Sequence, residues 1–127
     1  MATNINIITA DQALANVMKE DFSFMHSDNP EFASQSGNHT YDSQLQDLSP
    51  AGFEKRIQHN KDIIQKLKSI NSNDLSSDNL RLHLRLLLDN VETESEAYRL
   101  KCHLYPVNSI GYGEIYFINE PFFVSYL

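Results

Sequence analysis

Ser77-Asp78-Asn79-Leu80-Arg81-Leu82-His83-Leu84-Arg85-Leu86-Leu87-Leu88-Asp89-Asn90-Val91, residues 77–91, decides the fold class. Ser76 or Ser77 can cap a helix that begins here, since a serine hydroxyl accepts from a free first-turn N–H. Leu80, Leu84, Leu87, Val91 and Tyr98 recur at helical spacing, as do Leu82, Leu86, Ala97, Leu100 and Leu104 on a second side. The spacing predicts a helix over about 77–105, ending before Pro106. Between residues 80 and 88 leucine covers most of its circumference, which predicts burial on several sides. Two other helices cover about half of such a surface. The remainder calls for a second copy of the chain or for further helices of a longer protein.

Working outward, Ser49-Pro50 is a helix start, a serine cap followed by proline at the first helical position. Phe53, Ile57, Ile64 and Leu67 then form a core-facing stripe with Asn60 as a polar gap, and Lys55, Arg56, Lys61 and Lys66 lie off it. This second helix is expected over about 50–70, closed by Asn71-Ser72-Asn73-Asp74. Upstream, Thr9 caps a helix over about 10–28 with Leu14, Val17, Phe22, Phe24 and Met25 on its apolar side. Asp28-Asn29-Pro30 stops it. Residues 30–48 read as an ordered loop with a short helical turn at 30–35. Residues 106–127 read as a loop and an aromatic tail. The fold class is mostly α, about three helices with ordered loops, an incomplete part of a larger helical fold.

Length and composition fit that reading. The chain has 127 residues, 41% hydrophobic, with a formal net charge of −7 and a mean hydropathy of −0.42. This is one domain's worth of chain. Residues 1–48 hold one basic residue, Lys19, against seven acidic ones. Binding a nucleic-acid backbone needs clustered cations, so no nucleic-acid partner is expected, and no membrane partner either. Cys102 is the one cysteine, which excludes a disulfide scaffold. The N-terminus has no signal-peptide pattern, and cytoplasmic localisation is the default expectation. Asn38-His39-Thr40 is a formal glycosylation triplet that carries little weight without one.

Catalytic signatures are sparse. The histidines are His26, His39, His59, His83 and His103; none is followed by glutamate, and none has a second histidine within five residues. His26 with Asp28 reads as a solvated polar helix end. Cys102 reads as a buried structural cysteine, because adjacent His103 cannot face it from the same helix. Glu92 and Glu96 read as surface charges, with Arg99 paired to Glu96. Gly111-Tyr112-Gly113 is too short for a phosphate loop.

Three stretches, in order, carry a resemblance: Asn29-Pro30-Glu31-Phe32-Ala33-Ser34-Gln35-Ser36-Gly37-Asn38-His39-Thr40-Tyr41-Asp42, then Leu45-Gln46-Asp47-Leu48-Ser49-Pro50, then His103-Leu104-Tyr105-Pro106-Val107-Asn108-Ser109-Ile110-Gly111. Together they resemble the N-terminal region of the domain of unknown function 885 family, over roughly residues 20–118. Members of that family are longer, largely helical and similar to zinc metallopeptidases. The resemblance implies a zinc-binding His-Glu-x-x-His helix and a downstream glutamate in the C-terminal part of the full-length relative. No position in this chain matches those residues, so the implied catalytic, cofactor and metal residues of this chain are none, with zinc expected only in the full-length relative. What matches is the signature Gly37, Asn38, Tyr41, Asp42, Pro106, Asn108 and Gly111, expected to shape helix-connecting loops or to line the cleft of the whole enzyme. The expected partner is the missing C-terminal part of the same protein, or a second copy. The other reading is a stand-alone helical interaction module.

Overall fold

In the computed structural model the described residues are 8–104. They are helical without strands: α1 (Ala10–Asp28), α2 (Pro30–Gln35), α3 (Pro50–Lys68) and α4 (Asp78–Arg99), with 3₁₀ turns at His39–Tyr41, Ser72–Asp74 and Cys102–Leu104. The chain divides into two units after Ser95.

The expected caps are in place in the first unit. Thr9 Oγ1 accepts from the Gln12 N–H at 3.2 Å, Ser49 Oγ from Gly52 at 3.2 Å, and Ser77 Oγ from Leu80 at 3.3 Å. Asn29 serves two helices. Its N–H closes α1 on the Met25 carbonyl at 2.9 Å, and its side chain opens α2 by accepting from Phe32 at 3.0 Å. Pro30, at the first position of α2, lacks the N–H that a continued α1 would need. α3 ends at Lys68, short of residue 70. The Ser69 hydroxyl donates to the Lys66 carbonyl at 2.6 Å and its N–H turns toward Gln65 and Lys66, closing the last turn.

Leu14, Val17, Ile63, Leu67, Leu75, Leu84 and Val91 form the buried core. α1 and α3 run antiparallel, since Asp28 meets Arg56 and Glu20 meets Lys66. Leu75, on the α3–α4 connection, is 2% exposed. Asp11 holds that connection on α1, accepting from the Ser76 N–H at 3.0 Å and from its hydroxyl at 2.5 Å.

Two expectations about faces need correction. The buried stripe of α3 is Gly52, Arg56, Asn60, Ile63 and Leu67, one position away from the Phe53–Ile57–Ile64 stripe along most of its length. Arg56 is therefore inside, not off the stripe, because Asp28 supplies a counter-charge there that turns the helix about its axis. Phe53, Ile57 and Ile64 are only half-buried. α4 is not buried on several sides. Leu84 and Val91 enter the core, with Leu80, Leu87 and Leu88 at its edge, whereas Leu82 and Leu86 are 48% and 57% exposed.

The loop before α3 lies hard against it. A Cβ built on Gly52 falls 2.3 Å from the Asp47 carbonyl oxygen and 2.8 Å from its Cγ. That carbonyl is already held by Arg56 Nη2 at 2.5 Å, so it cannot move without losing a bond. Gly52→Ala is expected to destabilise the fold by about 1–3 kcal/mol through overpacking, although alanine is the better helix former by about 1 kcal/mol. Thermal melting checks this, and a more stable variant would show that the loop does not hold its place.

In the second unit, from Glu96, the expected helix to 105 stops at Arg99. Lys101 is left-handed at φ 58°, and its N–H bonds the Tyr98 carbonyl, three residues back, at 2.9 Å. This contact closes a helix C-terminus and normally favours glycine. Residues 102–104 then make a separate 3₁₀ turn, which leaves Cys102 exposed rather than buried. The Arg99–Glu96 surface pair forms as expected, at 2.7 and 2.5 Å.

Candidate functional site

The polar residues of the first unit converge where the end of α1, α2, the loop at 36–49 and the start of α3 meet. Gly37 has φ +84° with open space around it, so its requirement is backbone freedom and not room. Asn38 follows, with its carbonyl oxygen accepting from the Thr40 N–H at 3.2 Å and its amide nitrogen 3.0 Å from His26 Nδ1. An amide nitrogen only donates, so His26 Nδ1 accepts and the ring proton sits on Nε2. His26 is 6% exposed, its ring between Phe22 at 4.1 Å and Phe32 at 5.8 Å. Tyr41 closes the 3₁₀ turn and accepts from the Gln44 N–H at 2.9 Å. Asp42 takes the Ser34 hydroxyl on one oxygen and lies 2.9 Å from His39 Nδ1 through the other.

Beneath this turn lies a charged clasp. Asp28 is 8% exposed and accepts from Arg56 Nε at 2.5 Å, with Lys55 Nζ at 3.6 Å from its other oxygen. Arg56, 5% exposed, joins α1 to the Asp47 loop. Farther along, His59 Nε2 is 2.9 Å from Asp21, and its ring stacks on Phe24 at 3.6 Å. The expectation that His26 and Asp28 are solvated is therefore corrected. Both are buried, because the loop folds over the end of α1, but they take different partners.

Chemically, these groups position backbone. Asp28 is engaged by two cations, Asp42 by a hydroxyl and a histidine, and Asn38 by a backbone N–H and His26. Among the described residues no group of three His, Cys, Asp or Glu side chains is placed to hold a metal ion, and no helix is long and apolar enough to cross a membrane. Gly37, Asn38, Tyr41 and Asp42 of the signature stand together in the loop; Pro106, Asn108 and Gly111 lie outside the described residues. The Asp28–Arg56–Asp47 clasp escaped the sequence reading, since its members are far apart in the chain. Its one trace is the stripe Gly52, Arg56, Asn60, Ile63, Leu67 at helical spacing.

No family model, curated protein or solved structure matches this chain.

The loop carboxylates set an acid limit on stability. The Ser34 hydroxyl, then the neighbouring His39, lowers the Asp42 pKa below 3.8, and Ser49 does the same for Asp47 through its side chain and N–H. Ser76 lowers Asp11, again through side chain and N–H. A carboxyl whose folded pKa is depressed contributes stability above its unfolded pKa and loses it as pH falls through the folded one. The melting temperature is expected to fall as the pH drops below about 4. Asp42→Asn removes the Asp42 share, which a comparison of the two melting-versus-pH curves detects.

Proposed function

We propose that this chain is the N-terminal structural part of a zinc-dependent, peptidase-like protein, without a catalytic site of its own, and that the outer face of α4 receives further helices of that protein. The observation that carries the reading is the exposure of Leu82 and Leu86 on a helix whose Leu84 and Val91 enter the core. The ordered motifs through Gly37–Asp42 and Leu45–Pro50 support it. Zinc and its ligands belong to the part downstream.

The genomic reading frame beyond Leu127 tests this directly: a His-Glu-x-x-His helix is expected there, and a stop codon without one overturns the proposal. A chelator-sensitive peptidase activity of the purified chain with added Zn²⁺ would overturn the absence of a site. The same two leucines support a second reading, a stand-alone interaction module that pairs with a copy of itself. Sedimentation velocity on the chain and on Leu86→Lys separates the two. A dimer abolished by the substitution favours the module.

A further inference from the structure

His26 is a titratable group held inside the fold. Its ring is 6% exposed, closed in by Phe22 of α1 and Phe32 of α2. The Asn38 amide nitrogen stands 3.0 Å from Nδ1, and Nε2 is buried with no hydrogen-bond partner among the described residues. The amide is fixed in this sense, because its oxygen accepts from the Thr40 N–H at 3.2 Å. Turned over, it would set its own donors against that N–H. The contact with Asn38 therefore requires a lone pair on Nδ1, which the neutral ring has and the protonated ring lacks.

We propose that His26 and Asn38 form a proton-sensitive latch, which holds the loop at 36–49 on the end of α1 while the ring is neutral and lets it go when the ring is protonated. An imidazolium carries an N–H on both nitrogens. At Nδ1 it would meet the Asn38 amide donors, and at Nε2 it would find no acceptor. Phe22 and Phe32 supply none. The carboxylates of the surrounding elements are already taken. Asp28 of α1 is engaged by Arg56 and Lys55 of α3. Glu31 of α2 accepts from the Gln46 N–H at 3.2 Å, and Asp42 of the turn is held by Ser34 and His39. A buried charge without a partner is costly, whereas the ring of an opened loop is hydrated. Loop attachment is therefore complete above the range in which imidazole titrates and is lost as pH falls through it. The neighbouring histidines respond with the opposite sign. His39 is 2.9 Å from Asp42 and His59 is 2.9 Å from Asp21, so a proton on either one strengthens a contact already made. The latch opens above the acid limit set by Asp11, Asp42 and Asp47, and it is independent of what covers Leu86.

Hydrogen exchange followed by NMR on the intact chain tests the latch, read at the Asn38 side-chain amide and the Thr40 N–H and corrected for the intrinsic effect of pH. Free imidazole titrates near pH 6.5, so protection is expected to fall about tenfold from about pH 7.5 to 5.5. His26→Gln keeps an acceptor for Asn38 and has nothing to titrate. Its protection is expected to be equal at the two pH values. Asn38→Asp decides the sign, since a carboxylate accepts from the Thr40 N–H and from a protonated His26 alike. In that variant the protection of Thr40 is expected to hold or to rise at the lower pH, an outcome that a purely structural contact does not produce. Equal protection of the unsubstituted chain at both pH values, the same loss in His26→Gln, or the same loss in Asn38→Asp would each overturn the proposal.

Discussion

Arg56→Ala is expected to lower the unfolding free energy by about 3–5 kcal/mol, the range for removing one partner of a buried ion pair. Two losses coincide. Asp28, 8% exposed, keeps its charge but loses the guanidinium at 2.5 Å. Lys55, at 3.6 Å and on an exposed side chain, compensates only in part. The Asp47 carbonyl loses its donor, which frees the loop that Gly52 admits so closely. Asp28→Ala alone leaves the opposite charge uncompensated and is expected to be costly as well. The double variant should cost clearly less than the two singles combined, because once both charges are gone neither is stranded. Urea denaturation of the four proteins measures the coupling. A loss under 1 kcal/mol for Arg56→Ala would show that water reaches the pair and that the clasp is a surface feature.

Ile63→Ala is the second large effect, about 2–5 kcal/mol. Ile63 is fully buried among Leu14, Leu67, Leu75, Leu84 and Val91, contributed by α1, α3, α4 and the connection before α4. Removing its outer carbons opens a cavity where three helices meet. Ile64, its neighbour, is half-buried at the rim of the same core. Ile64→Ala is expected to cost about 1 kcal/mol, since less area leaves water. The pair tests the phase of α3 directly: equal losses, or a greater loss at Ile64, would contradict the stripe Gly52–Arg56–Asn60–Ile63–Leu67.

Both predictions depend on a rotation of α3 that hydrophobic periodicity reads incorrectly. Phe53, Ile57 and Ile64 outrank Gly52, Arg56 and Asn60 on any apolar scale, so the larger residues draw the stripe toward themselves. In the fold, the half of α3 near its start faces the end of α1, where Asp28 stands. There the contact is polar, and Arg56 turns inward to Asp28, while Asn60, one turn on, turns to Glu94 of α4 at 3.3 Å. The half near Ile63 and Leu67 faces leucines and behaves as the pattern predicts. The loop residues were legible as turn makers from Gly37 and Asn38, but the attachments of Asn38 to His26, Asp42 to Ser34 and Asp47 to Arg56 span too many positions for any local signal.

The sequence by itself determined the helical class and the starts of α1 and α3, because Thr9 and Ser49 act on N–H groups only three residues away; for α4 it left Ser76 and Ser77 both open, and the structure uses Ser77 while Ser76 turns to Asp11. It likewise determined the break at Asn29-Pro30, a matter of one missing donor. Only the tertiary structure decided which side of α3 is buried, that His26 and Asp28 are inside, and that Leu82 and Leu86 remain open while Leu84 does not. The physical reason is range. Caps and proline stops are settled within one turn of backbone, whereas the burial of a charge depends on a counter-charge that arrives from another part of the chain.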